Sequence, residues 1–199
     1  MTQTTVPSPT STTTAATPSG LRSLHLIRVA FSLLWVALVL ATSASLVPTD
    51  KPTATAAVLL VVYPLWDVIA TLLERRLSGT GSTDRVTTAN IALGLATTAV
   101  MTIAVFSTIR TTLVVFGAWA LLSGAIQLVV AIRRRRSVGA QWPMVISGGQ
   151  SVLAGAAIAA MSASATSHLS TVAGYSAFGA FWFLVSVITL SIRARREER

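Results

Sequence analysis

The sequence predicts an all-α membrane protein of six transmembrane helices, arranged as three repeated hairpins with both termini in the cytoplasm. Three observations predict it. Only 11% of the residues are charged and 53% are hydrophobic, against about 25% charged in a soluble domain, and mean hydropathy is +0.72. The apolar residues come in blocks of about 20, the length an α-helix needs to cross ~30 Å of hydrocarbon. Three of these blocks stop at arginines: Arg75 and Arg76, then Arg133, Arg134, Arg135 and Arg136, then Arg193, Arg195 and Arg196.

Taken in order, residues 1–20 are rich in Ser, Thr and Pro and carry no charged side chain, so they cannot bury a core and are expected to form a disordered cytoplasmic tail. A six-helix domain is expected over residues 21–196, with spans at about 24–46, 53–73, 87–105, 112–132, 142–161 and 171–192, followed by a cytoplasmic end at 197–199. Lipid offers the backbone no hydrogen-bond partner, so segments of this length must be helical. Barrel strands would be nearer ten residues and would alternate in polarity. The first span has a second reading as a cleaved signal peptide, because Arg28 precedes an apolar run that ends in Ala41, Thr42, Ser43, Ala44 and Ser45. The long leader before Arg28 and the continuation of the run to Leu46 favour a retained helix.

Basic residues set the orientation. Thirteen lie on one side of the predicted spans, from Arg22 and Arg28 to Arg199, and only Lys51 and Arg110 lie on the other. Cytoplasmic loops carry the excess of Lys and Arg, which puts both termini in the cytoplasm. The net charge of +9 does not point to nucleic acid, since the basic residues sit at helix ends and no soluble stretch could form a groove-reading element. The expected partner is the lipid bilayer, with anionic headgroups as candidates for the loop at Arg133, Arg134, Arg135 and Arg136. The chain has no cysteine, which excludes disulfides and thiolate chemistry.

An internal repeat underlies the hairpins. Phe116, Gly117, Ala118, Trp119 is followed 62 positions later by Phe178, Gly179, Ala180, Phe181, an offset that also lays Arg133 and Arg134 over Arg195 and Arg196. Tyr63, Pro64, Leu65, Trp66 fits the same place in the second span. With two spans per unit the copies share one orientation, so a symmetry axis would run along the membrane normal. The stretch from Phe116 to Arg136, with Ser123, Gly124 and Gln127 inside it and Ser147, Gly148, Gly149 and Gly155 after it, resembles the short repeat of the HdeD-like acid-resistance membrane proteins. The resemblance runs from Thr87 to Arg196 and, more loosely, over the segment from Tyr63 to Arg76. It implies a six-helix inner-membrane protein associated with acid stress and implies no molecular mechanism. The chain departs from the pattern in its Ser/Thr/Pro tail and in Val185 and Ser186, which stand where the last copy would carry Ser-Gly.

Small residues mark the faces on which lipid-embedded helices approach each other. Ser147, Ser151, Gly155, Ala159 and Ala163 recur every four residues in the fifth span, Asn90, Gly94, Thr98 and Thr102 in the third, and Ala37, Ala41 and Ser45 in the first. Trp66, Trp119, Phe181 and Trp182 place bulk on the even spans. Odd spans are therefore expected to supply close-packed seams and even spans the bulk around them, with a path lined by Thr98 and Thr102 as the functional alternative.

Asp67 is the sharpest single residue. It lies eight residues before Arg75, roughly 12 Å up the helix, where an unpaired carboxylate is costly. Arg28 stands at a matching depth in the first span, so an intramembrane Arg28 to Asp67 ion pair is expected, either fixing helix register or handling protons. Ser123, Gln127 and Gln150 form a candidate polar packing strip, with Gln150 as a partner for Gln127. His168, in an external loop, is a candidate pH sensor. No catalytic, cofactor-binding or metal-binding constellation is found: Gly149, Gln150, Ser151, Val152, Leu153 lacks the second glycine of a nucleophile elbow, and the two histidines are far apart. The chain is expected not to be an enzyme and to carry no cofactor. A small transporter or channel using Asp67, and a scaffold acting through the basic loop, are the alternative functions.

Overall fold

A computed structural model describes residues 18–43, 50–77, 85–134, 142–162 and 170–197. It contains six helices, α1 (Pro18–Ser43), α2 (Ala54–Leu77), α3 (Arg85–Ala104), α4 (Ile109–Arg134), α5 (Trp142–Met161) and α6 (Ser170–Glu197), and no strand among the described residues. α1 starts inside the stretch expected as tail, because Pro18 pre-sets the backbone angle required at a first helical position. The remainder of the tail, His168, Arg135 and Arg136 lie outside the described residues.

Local chemistry sets the ends opposite the arginines. Thr53 accepts from the Ala56 amide through its hydroxyl at 3.3 Å, and Thr108 does the same for Thr111 at 3.1 Å, each capping amides that the first turn of α2 or α4 leaves unpaired. Arg110 donates from Nε to the Ser162 carbonyl at the end of α5, at 2.9 Å, where a cation favours the negative end of the helix dipole. One of the two basic residues at this end therefore ties α4 to α5.

The distribution of apolar side chains is that of a protein in lipid. Ile103, Phe106 and Leu153 are each more than 70% exposed, whereas Phe116 is fully buried and Trp35 nearly so. Five helices are long and apolar enough to cross a bilayer, and α5 carries a shorter apolar segment, Val145–Met161. Large apolar side chains on the outside of long helices are stable only where the solvent is hydrocarbon. The chain is a multi-pass helical membrane protein.

Each helix packs against its neighbours in sequence, and α6 packs back on α1, so the bundle is a closed ring. The seams alternate. Those between hairpins, α2 on α3, α4 on α5 and α6 on α1, are more extensive than those within hairpins. This is the pattern of three like units around an axis along the membrane normal.

The buried faces correct the register of the repeat. Leu60, Tyr63 and Pro64 in α2 match Leu113, Phe116 and Gly117 in α4, and both match Val172, Tyr175 and Ser176 in α6. Tyr175 meets Phe116 edge to face with centroids 5.6 Å apart, while Phe178 is turned outward. The offset of 62 is thus three residues too long. Aligning the arginines misplaced it, because α6 runs beyond the apolar core to Glu197 and its arginines need not stand at the depth of those in α4.

α4 and α5 make the closest seam. A methyl group on Gly117 would stand 2.7 Å from the Gly155 carbonyl oxygen, and one on Gly124 would stand 2.9 Å from that of Gly148. Glycines seven apart on each helix bring the two backbones together. Ser151, Gly155 and Ala159 of the small ridge of α5 are therefore packed as expected, Ala163 lying outside the described residues, but an even helix contributes half of the seam. α1 differs from expectation: Ala37 and Ala41 face outward, Ser45 lies outside the described residues, and the buried face is Leu24, Arg28, Ser32, Trp35 and Val39. α3 buries Gly94, Thr97, Met101 and Ala104. A strict four-residue spacing drifts around a 3.6-residue helix, so Thr102 lies outside that face.

Candidate functional site

The half of the ring away from the arginines has an apolar and aromatic core. Trp35, Tyr63, Phe116 and Trp119 meet around the axis, with Tyr63 4.4 Å from Trp35 and 5.7 Å from Trp119 between centroids. Pro64 has no N–H for the Leu60 carbonyl, which loosens that turn of α2, and the adjacent Leu59 carbonyl accepts from the Trp35 indole at 2.8 Å.

The half nearer the arginines is joined by polar contacts at successive seams. Arg28 of α1 pairs with Glu74 of α2 at 3.2 Å. On α2, Asp67 lies within the field of Arg28 and faces the Asn90 side chain of α3. Asn90 accepts from the Ser123 hydroxyl of α4 at 3.3 Å, so this amide stands between Asp67 of α2 and Ser123 of α4. Gln127 of α4 donates to Ser147 of α5 at 3.3 Å. Tyr175 of α6, at the level of the aromatic core, donates to Ser151 at 3.3 Å, and further toward the arginines the Trp182 indole donates to Gln150 at 2.7 Å.

Two expected pairings are thereby corrected. The short ion pair of Arg28 is with Glu74 rather than Asp67. Glu74 stands seven residues after Asp67, two turns along the same face and nearer the membrane surface, and a long arginine side chain extends toward the surface rather than holding its charge at depth. Spacing of seven between the two acids is the signal that could have identified Glu74. Gln150 does not partner Gln127: it faces α6, and Ser147 takes its place. Ser123 and Gln127 both contribute to the belt, each bonding a different neighbouring helix. Thr98 donates to the Gly94 carbonyl and Thr102 to the Thr98 carbonyl, each at 2.8 Å, so both hydroxyl protons are bonded within their own helix. Of the basic loop, Arg133 and Arg134 close α4.

A cleft of about 230 Å³ opens between α5 and α6, the least extensive seam of the ring. Gln150, Ser151, Tyr175 and Trp182 give it a polar wall, with Ile158 beside them. Ala157, Gly174 and Phe178 form an exposed mouth. No group of three or more His, Cys, Asp or Glu able to hold a metal occurs among the described residues.

Residues 89–160 match a family model described as a short repeat of unknown function (DUF308). The middle of the chain is similar to a known repeat. The matched stretch takes in most of α3, all of α4 and nearly all of α5, and so contains the glycine seam and the bonds of Asn90, Ser123, Gln127 and Ser147. No curated protein and no solved structure matches the chain.

Proposed function

We propose that this chain is a non-enzymatic, multi-pass protein of a bacterial plasma membrane, of the HdeD-like type, that supports envelope integrity under acid stress. The carrying observation is the ring itself: its axis is filled by Trp35, Tyr63, Phe116 and Trp119, and its other half is laced by interhelical bonds. A plugged, cross-braced ring suits a role in which the protein acts by its presence in the bilayer rather than by passing a solute along its axis. The match of residues 89–160 to the short repeat supports the resemblance. The excess of arginines at one end supports cytoplasmic termini, and it also supports contact of Arg133, Arg134, Arg135 and Arg136 with anionic lipid headgroups. The test is survival of a deletion strain after acid challenge. Reduced survival, restored by the wild-type gene and not by a variant with a broken α4–α5 seam, is the expected result; unchanged survival would remove the acid-stress reading.

The position of Asp67 favours a second reading, a small proton-coupled transporter or channel. A carboxylate at that depth with a guanidinium and an amide as neighbours has the surroundings of a proton-handling group. In liposomes this reading requires that Asp67→Asn abolish a flux while leaving the protein folded. The first reading expects no flux in either protein.

A further inference from the structure

We infer that the cleft between α5 and α6 binds small, uncharged, lipophilic molecules that carry a hydrogen-bond acceptor and enter from the bilayer. Three observations combine. The mouth at Ala157, Gly174 and Phe178 is exposed, and Leu153 and Leu184, on the outward faces of the same two helices, are exposed as well, so the molecules that reach it are those dissolved in lipid. Its volume of about 230 Å³ exceeds the ~150 Å³ of an engineered apolar cavity in another protein that holds benzene, which scales to about nine or ten non-hydrogen atoms. Its wall carries an amide with donors to spare: Gln150 accepts from Trp182 through Oε1, and no acceptor for its Nε2 occurs among the described residues, which leaves those two N–H groups for an occupant.

Depth decides what that occupant is. Gln150 stands eight residues into α5, roughly 12 Å from the helix end, near the middle of a ~30 Å hydrocarbon layer. A lipid ester group lies nearer the surface, and a charged molecule would pay heavily at this level. A neutral ring or short chain bearing a carbonyl satisfies the amide, whose N–H groups find no partner in hydrocarbon itself.

The fold supplies its own controls. A Cβ at Gly174 in the cleft wall meets nothing within 4 Å, and neither does one at Gly149, which does not line the cleft. Either glycine therefore has open space for a Cβ, but only a side chain at Gly174 starts from the cleft wall. The experiment is fluorine NMR titration of 4-fluoroacetophenone and, as its counterpart without an acceptor, 1-ethyl-4-fluorobenzene, against the full chain in phosphatidylcholine nanodiscs. Saturable binding of both is expected, with the ketone tighter by about fivefold, the worth of one hydrogen bond. Gly174→Phe should abolish saturable binding of both and Gly149→Phe should leave it unchanged, while Gln150→Leu should erase the preference for the ketone. Non-saturable uptake equal in wild type and Gly174→Phe would mean partition into lipid alone and overturn the site. A preference that survives Gln150→Leu would overturn the assignment of the donor.

Discussion

At the centre of a membrane helix an arginine costs roughly 2.5–3.5 kcal/mol on insertion scales, so the surroundings of Arg28 decide whether α1 is stable in the bundle. The ion pair to Glu74 at 3.2 Å answers that cost, and Asp67 contributes from further away. Removing one partner of a buried pair strands the other, so Glu74→Gln is expected to lower stability by about 2 kcal/mol, less than the roughly 3–5 kcal/mol of a fully buried pair because Glu74 is itself partly exposed. Reversing both charges, Arg28→Glu with Glu74→Arg, should recover most of the loss, whereas Arg28→Asp with Asp67→Arg should not. Unfolding in mixed micelles followed by tryptophan fluorescence distinguishes these outcomes. That a charged residue at this depth needs a partner was legible in the sequence. Which acid serves was not, because Asp67 and Glu74 share a face of α2 and only the reach of the arginine side chain chooses between them. The bond of Gln127 to Ser147 is a smaller matter: Ser147→Ala should cost about 0.6 kcal/mol, the mean for interhelical bonds of this kind, in the same assay.

Helix pairs in lipid gain little from apolar burial, so the α4–α5 seam depends on close approach. Gly117, Gly124, Gly148 and Gly155 each face backbone of the partner helix at distances that leave no room for a methyl group. Gly117→Ala or Gly124→Ala must therefore push the helices apart, at an expected cost of about 1–3 kcal/mol. Gly149→Ala meets open space and should instead stabilise α5 by up to about 1 kcal/mol through helix propensity. Thermal unfolding of the three variants side by side provides the check. The ridge on α5 was visible as spacing. Its counterpart on α4 was hidden, since Gly117 and Gly124 are flanked by Trp119, Leu121 and Leu122 and the helix reads as bulky when averaged over all faces.

In the whole molecule, closure of the ring is the feature from which the others follow. α1 and α6 are the most distant helices in sequence, yet they form one of the extensive seams, and the Tyr63 hydroxyl of α2 faces both Ser32 of α1 and Ser176 of α6. The natural chain lacks cysteine, so a pair introduced as Ser32→Cys and Ser176→Cys reports this closure without background. A short bifunctional thiol reagent should link the two within one chain, seen as altered mobility on a denaturing gel. An open row of hairpins would give no intramolecular product. Because the between-hairpin seams hold the ring, α5 is drawn to α4 and α6 to α1, and the cleft lies where those two attachments leave the last hairpin slack.

The helical class, the approximate positions of the spans and the existence of a repeat by hairpins, though not its register, were determined by the sequence alone. The bilayer tests each segment separately for length, apolarity and flanking charge, and those are properties of a one-dimensional string. The rotation of each helix about its own axis was decided only by the tertiary structure, because it depends on what the neighbouring helices present. That rotation turned Arg28 to Glu74, Gln150 to Trp182 and Phe178 to the mouth of the cleft, and it set Tyr175 against Phe116 in the filled centre of the ring.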